Sequence, residues 1–154
     1  QLSKHYQTVF VSEYARTFLE KGNLVLNSND VLKIAKIQLK NEKTAIAKAK
    51  KIIFTDTELI YCKVWNKEVF ESGSKWFDKK INETTYDFYL LTKPDLPWKK
   101  DAVRTKEENR NYLFDCYKDE LEKLNANFSV VGGLDNSRLM NCLKIIEENF
   151  GSQL

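Results

Sequence analysis

Three short apolar runs in this chain each stop at a carboxylate: Thr8-Val9-Phe10-Val11-Ser12-Glu13, Lys51-Ile52-Ile53-Phe54-Thr55-Asp56, and Tyr86-Asp87-Phe88-Tyr89-Leu90-Leu91 running on to Asp95. Helix-like sequence follows each of them. Buried parallel strands read as near-continuous apolar runs, and open α/β sheets bind their ligands in the crevice beyond the strand C-terminal ends. The pattern therefore predicts Glu13, Asp56 and Asp95 gathered in one cleft at the edge of a parallel sheet.

The remaining segments alternate in the same way. Residues 8–11 read as a strand, 14–20 as a short helix and 22–28 as a loop. Ser28, Asn29 and Asp30 offer N-cap chemistry to a long helix reaching about Ala49, with Leu32, Ala35, Leu39, Ile46 and Ala49 on one stripe and a Lys-rich face toward solvent. A strand over 51–54, helices over 57–68 and 74–83 and a strand over 86–91 follow. A polar loop then runs from Thr92 to Thr105. Thr105 and Glu108 form a capping-box pattern for a helix to about Leu124. A strand over 128–131, a Gly132-Gly133 turn and a helix over 135–149 close the order. Alternating strands and helices predict an α/β fold with a right-handed parallel sheet flanked by helices on both faces.

The 154 residues suit one domain. A net charge of +3, spread through interleaved Lys and Glu, supplies no basic block for nucleic acid or an anionic membrane. No run approaches the ~20 apolar residues of a membrane span and no leader pattern is visible, so a cytoplasmic protein is expected. Cys62, Cys116 and Cys142 are odd in number and far apart, which predicts reduced packing thiols. With His5 the one histidine, a zinc site has almost no ligands to draw on.

Three motifs carry a resemblance. Val11-Ser12-Glu13-Tyr14-Ala15-Arg16, Phe54-Thr55-Asp56-Thr57-Glu58-Leu59 and Asp95-Leu96-Pro97-Trp98-Lys99-Lys100-Asp101-Ala102-Val103-Arg104 are similar, in the same order over essentially the whole chain, to motifs of the ribosylnicotinamide kinase domain of NadR-type proteins. That family belongs to the P-loop kinases, whose members begin with a strand, a Gly-x-x-x-x-Gly-Lys-Ser/Thr loop and a helix. None of the five glycines here, Gly22, Gly73, Gly132, Gly133 and Gly151, opens such a loop. The resemblance thus implies one P-loop nucleoside kinase-like domain over 1–154, N-terminally truncated. Gln1 to Tyr6 would be the tail of the helix after a P-loop, and the two halves of the sheet would lack their central strand.

The resemblance also assigns roles. It implies an ATP- and Mg²⁺-dependent kinase that phosphorylates nicotinamide riboside to the mononucleotide in NAD salvage. Asp56 would stand beside Mg²⁺ and Glu13 would contact the substrate hydroxyl, either acid serving as the base. Tyr14, Arg16, Gln38, Asp95, Trp98 and Asp101 would meet the substrate. Arg104 and Arg110 would neutralise the transferring phosphoryl group from a lid over about 92–110.

Plainer readings exist for each residue. Asp56 suits a helix N-cap, Arg16 a surface ion pair with Glu13, Gln38 a solvated helix position, and the arginines a solvated loop. Trp98, beside Pro97 and Lys99, is poorly explained by core packing, and its face suits a flat or cationic ring. Trp65 and Trp76 read as core. Ser12 stands where bifunctional NadR-type enzymes can carry an aromatic facing the nicotinamide, which removes stacking from that side. Two alternatives follow: another nucleoside or nucleotide kinase of the same fold, or an ATP-binding regulatory module without turnover. The partners implied are small molecules, with no nucleic acid and no membrane.

Overall fold

The computed structural model describes residues 1–22, 24–25, 27–49, 51–99 and 109–154. The order is α1 (Leu2–His5), β1 (Phe10–Val11), α2 (Tyr14–Glu20), α3 (Ser28–Ile46), β2 (Phe54–Thr55), α4 (Leu59–Phe70), α5 (Lys75–Glu83), β3 (Tyr89–Thr92), α6 (Arg110–Lys123), β4 (Phe128–Val131) and α7 (Asp135–Phe150). The mixed α/β order is the one the apolar runs predict, and both strand pairs are parallel.

The strands form two parallel pairs. β1 pairs with β2 in the register Phe10↔Phe54 and Val11↔Thr55. β3 pairs with β4 from Tyr89↔Phe128 to Thr92↔Val131. No ladder joins the two pairs among the described residues, so they stand as two halves of the kind the resemblance implies, without a strand between them. The strands are also shorter than their apolar runs and lie at the C-terminal part of the first three. Apolar composition marks what is buried, whereas a strand needs a partner at each residue.

Helix α3 organises the first half. Asn27, one residue before the predicted cap, accepts the Asn29 N–H at 2.9 Å and starts the helix. Its buried face is Val31, Ile34, Ala35, Gln38, Leu39 and Glu42. Ala35 and Leu39 of the predicted stripe are buried, Leu32 is half-buried beside buried Val31, and Ile46 is exposed. Val31, Ile34 and Ala35 join Leu59, Ile60, Val64, Phe77, Ile81 and Leu121 in the main core, with Trp65 and Trp76 packed against it as expected. Lys63 ties three helices together, its Nζ lying 2.9 Å from Asp78 on α5 and 2.5 Å from Glu120 on α6. The three cysteines are free, as read from the sequence. Among the described residues no helix is long and apolar enough to cross a membrane.

Candidate functional site

Parallel pairing delivers two of the three predicted acids to the same strand ends. Past the Val11↔Thr55 pair, the Asp56 N–H donates to the Val11 carbonyl at 2.8 Å. Asp56 then leaves the ladder exposed to solvent. Glu13 follows two residues after Val11 and stands at the N-cap position of α2 without capping it. It is buried, and its Oε2 lies 3.3 Å from Arg16 Nε one helical turn on, the ion pair foreseen from the spacing.

Asp56 is not a helix cap. That role belongs to Glu58, whose carboxylate accepts the Ile60 N–H at 2.7 Å and opens α4 two residues later than predicted. Between them Thr57 holds φ at +60°, a left-handed conformation that is unusual for a β-branched residue.

Gln38 is neither solvated nor open to the cleft. It is 2% exposed, and both ends of its amide are engaged within the protein. Oε1 accepts the Tyr14 N–H at 3.0 Å. Nε2 faces the Thr57 carbonyl at 3.2 Å, with Thr55 Oγ1 and Glu42 Oε1 at 3.4 Å. One turn further along α3, Glu42 accepts Thr55 Oγ1 at 3.2 Å and Tyr86 OH at 2.6 Å.

Buried charge shapes the electrostatics here. Desolvation raises the Glu42 carboxyl, and the bonds from Tyr86, Thr55 and Gln38 oppose the rise. Desolvation pushes Glu58 up to about 8, with the Glu42 charge adding to the shift and the Ile60 bond opposing it. Burial, then the fields of Glu58, Glu13 and Glu42, hold the Cys62 thiol far above its ordinary range.

Asp95 sits at the end of the other strand pair. Its Oδ2 accepts the Gly133 N–H at 2.8 Å and its Oδ1 meets the Arg138 guanidinium. The Gly133 bond first, then Arg138, hold its carboxyl below the usual range. Arg138 also donates to the carbonyls of Gly133 and Lys93. Asp95 is therefore a fastener between β3 and the β4–α7 turn, and no described contact joins it to Glu13 or Asp56. Arg110, at the start of α6, donates to the carbonyls of Pro94 and Leu96, both at 2.7 Å. Trp98 is half-buried, and its Nε1 donor is sealed from solvent with no partner among the described residues. Asp101 and Arg104 lie outside the described residues, as do Lys100 and the capping-box pair Thr105 and Glu108.

Sequence reasoning missed Glu42, Glu58, Tyr86 and Arg138. For Glu42 a signal existed, because it falls four residues after Gln38 and eleven after Val31, on the same helical face.

A family model described as an AAA domain matches residues 1–136. The chain belongs to the AAA domain family. This AAA-domain chain is similar to "Trifunctional NAD biosynthesis/regulator protein NadR" of Escherichia coli (strain K12), at 25% identity over 164 residues, covering 99% of the chain and 39% of that protein. The Salmonella typhimurium (strain LT2) protein of the same description is 23% identical over 160 residues, with the same shares covered. The AAA-domain chain thus spans about two fifths of the length of these curated relatives. The resemblance to NadR-type proteins carried by the three motifs holds along the whole chain.

Proposed function

We propose that this chain is the greater part of a P-loop nucleoside kinase domain, and that the complete polypeptide phosphorylates the 5′-hydroxyl of nicotinamide riboside with ATP. The observation that supports it is the placing of Glu13 and Asp56 at the common C-terminal end of the β1–β2 pair, in a chain similar to NadR over 99% of its length. In this reading a strand and P-loop from a preceding segment stand between the two strand pairs and cradle the β- and γ-phosphates.

Asp56 suits magnesium in this setting. Among the described residues no group of three His, Cys, Asp or Glu could hold a metal by itself. A nucleotide-bound Mg²⁺ needs only one or two carboxylates, because phosphate oxygens and water complete its octahedron. The exposed Asp56 carboxylate at a strand end meets that requirement. Bound there, the ion would neutralise charge on the transferring phosphoryl group.

Glu13 accepts a hydrogen bond from the 5′-hydroxyl and takes its proton late. The hydroxyl oxygen bonds to the γ-phosphorus as the bond to the β,γ-bridging oxygen breaks and ADP leaves. Arg16 holds the Glu13 carboxylate in one orientation from the next helical turn. Trp98 offers a ring face to the base.

The test is an assay of the N-terminally complete polypeptide with ATP, Mg²⁺ and nicotinamide riboside, reading the mononucleotide by mass. Product from this riboside and little from other nucleosides is expected. Transfer to a different nucleoside alone would overturn the substrate. ATP binding with no transfer to any nucleoside would leave a regulatory module.

A further inference from the structure

We infer that Gln38 and Glu42 are positioning residues: a buried strut on α3 that ties the start of α2 to the Thr55–Thr57 turn and thereby fixes Glu13 relative to Asp56. The functional half of this inference rests on the phosphotransfer reading above.

The chemistry of the strut is directional. The Tyr14 N–H can only donate and the Thr57 carbonyl can only accept, so the residue between them must present an acceptor on one side and a donor on the other. A carboxamide does so, and Gln38 meets Tyr14 with Oε1 at 3.0 Å and Thr57 with Nε2 at 3.2 Å. Tyr14 directly follows Glu13 and Thr57 directly follows Asp56. One side chain thus holds the backbone next to both candidate acids.

The turn it holds is strained. Thr57 keeps φ at +60°, and such conformations persist where surrounding contacts over-determine them. Its carbonyl accepts from Gln38 Nε2, and Thr55 Oγ1, whose one proton goes to Glu42, lies 3.3 Å from it. Glu42 is the anchor behind the amide, itself held by Thr55 and Tyr86. Both strut residues are buried, 2% and 3% exposed, so neither is placed to meet a substrate.

Gln38→Glu tests the donor requirement. It keeps size and the acceptor toward Tyr14, but turns a second carboxylate toward Glu42 and the Thr57 carbonyl. Glu42→Gln is the milder variant. Combining the two exchanges amide and carboxylate along one helical turn, and Thr55 Oγ1 can then serve the Thr57 carbonyl.

Two measurements on the N-terminally complete polypeptide decide the matter. Amide hydrogen exchange at residues 13–15 and 55–58 is expected to rise together in Gln38→Glu, with α6 and α7 unchanged, and to return toward wild type in the double variant. Unchanged exchange in both segments, or a rise spread over the whole protein that the second substitution does not reverse, would overturn the strut. If Gln38→Glu does not fold, Glu42→Gln is read by the same criterion.

The kinetic arm reads phosphate transfer. A tenfold to hundredfold loss in kcat is expected, with KM for ATP within about threefold, because misplacement by about an ångström can cost that much. The double variant should recover part of it. An active wild type whose kcat is untouched by a loosened strut would overturn the positioning role. An inactive wild type would defeat the phosphotransfer reading instead, and the exchange result would still decide whether the strut exists.

Discussion

Burial raises the Glu58 carboxyl to about 8, and Glu42 lies close enough to add its charge to the shift. An unfolded glutamate titrates near 4.3. Between those values the folded chain keeps a proton that the unfolded chain has lost, so this group's stabilising contribution is complete at low pH and drains away as pH rises through about 8. Glu58→Gln keeps an acceptor for the Ile60 N–H and removes the titration. Wild-type stability should therefore fall relative to the variant between about pH 5 and about pH 8, by on the order of a few kcal/mol, read as a falling Tm. Parallel Tm curves would show that the carboxyl is not desolvated. Trp98 carries a second expectation at this scale: Trp98→Ala should raise KM for a pyridine nucleoside about three- to thirtyfold with little change in kcat, the range of a cation–π contact. An equal rise for an uncharged nucleoside would remove the cation–π contribution and leave plain stacking. The acids at strand ends were legible as single residues because an apolar run ending in a carboxylate is a local pattern. Gln38 was named as a substrate contact rather than a buried tie, and Glu42 was passed over, since polar residues on a helix are ordinarily solvated. Their burial depends on Tyr14, Thr55 and Tyr86 arriving from other elements.

The β3–β4 pair is closed at its C-terminal end by contacts that a helix and a turn share. Gly132 lies so close to Asp95 that an added Cβ would come within 2.9 Å of its Oδ2. Gly133 holds φ at +114°, and a Cβ there would meet Ser137 Oγ at 2.7 Å and the Arg138 amide at 3.1 Å. Gly133→Ala is therefore expected to cost about 1–3 kcal/mol by denaturant unfolding, through backbone strain and the displaced start of α7. Asp95→Asn, which retains an acceptor for the Gly133 N–H and loses only the charge toward Arg138, should cost less than Gly133→Ala. A neutral Gly133→Ala would mean that the turn relaxes without loss. The elements themselves were well marked by periodicity: α2, α5, α7 and β4 fall within a residue or two of their sequence-derived bounds. Strands β1 to β3 were shifted because a run such as Lys51 to Asp56 fixes what is buried without saying which residues find a ladder partner. The start of α4 moved for a different reason, a glutamate two residues on capping it in place of Asp56.

At the scale of the molecule, alternating apolar runs marked the α/β class, and the resemblance implied two sheet halves without a shared central strand. The strands group as two parallel pairs, each strand having a ladder on one side only among the described residues. Parallel pairs are ordinarily buried and stabilised by neighbours on both edges, and two-stranded units are marginal in water. Helices hold the pairs in one body: α4 packs on both α3 and α6, and Tyr86 just before β3 reaches Glu42 on α3. If the proposed P-loop strand bridges the pairs, cooperativity should depend on it. Residues 1–154 alone are expected to unfold over a broad denaturant range with a small m-value, while the longer polypeptide unfolds in one sharp transition. Amides at 53–56 and 89–93 should exchange slowly only in the longer form, because they border the edges that the strand would fill. A sharp transition from residues 1–154, with an m-value appropriate to their size, would show that the helices alone secure the two pairs. The bridging strand would then lose its physical motivation, and the kinase reading would rest on the strand-end acids without a sheet to join them to a phosphate cradle.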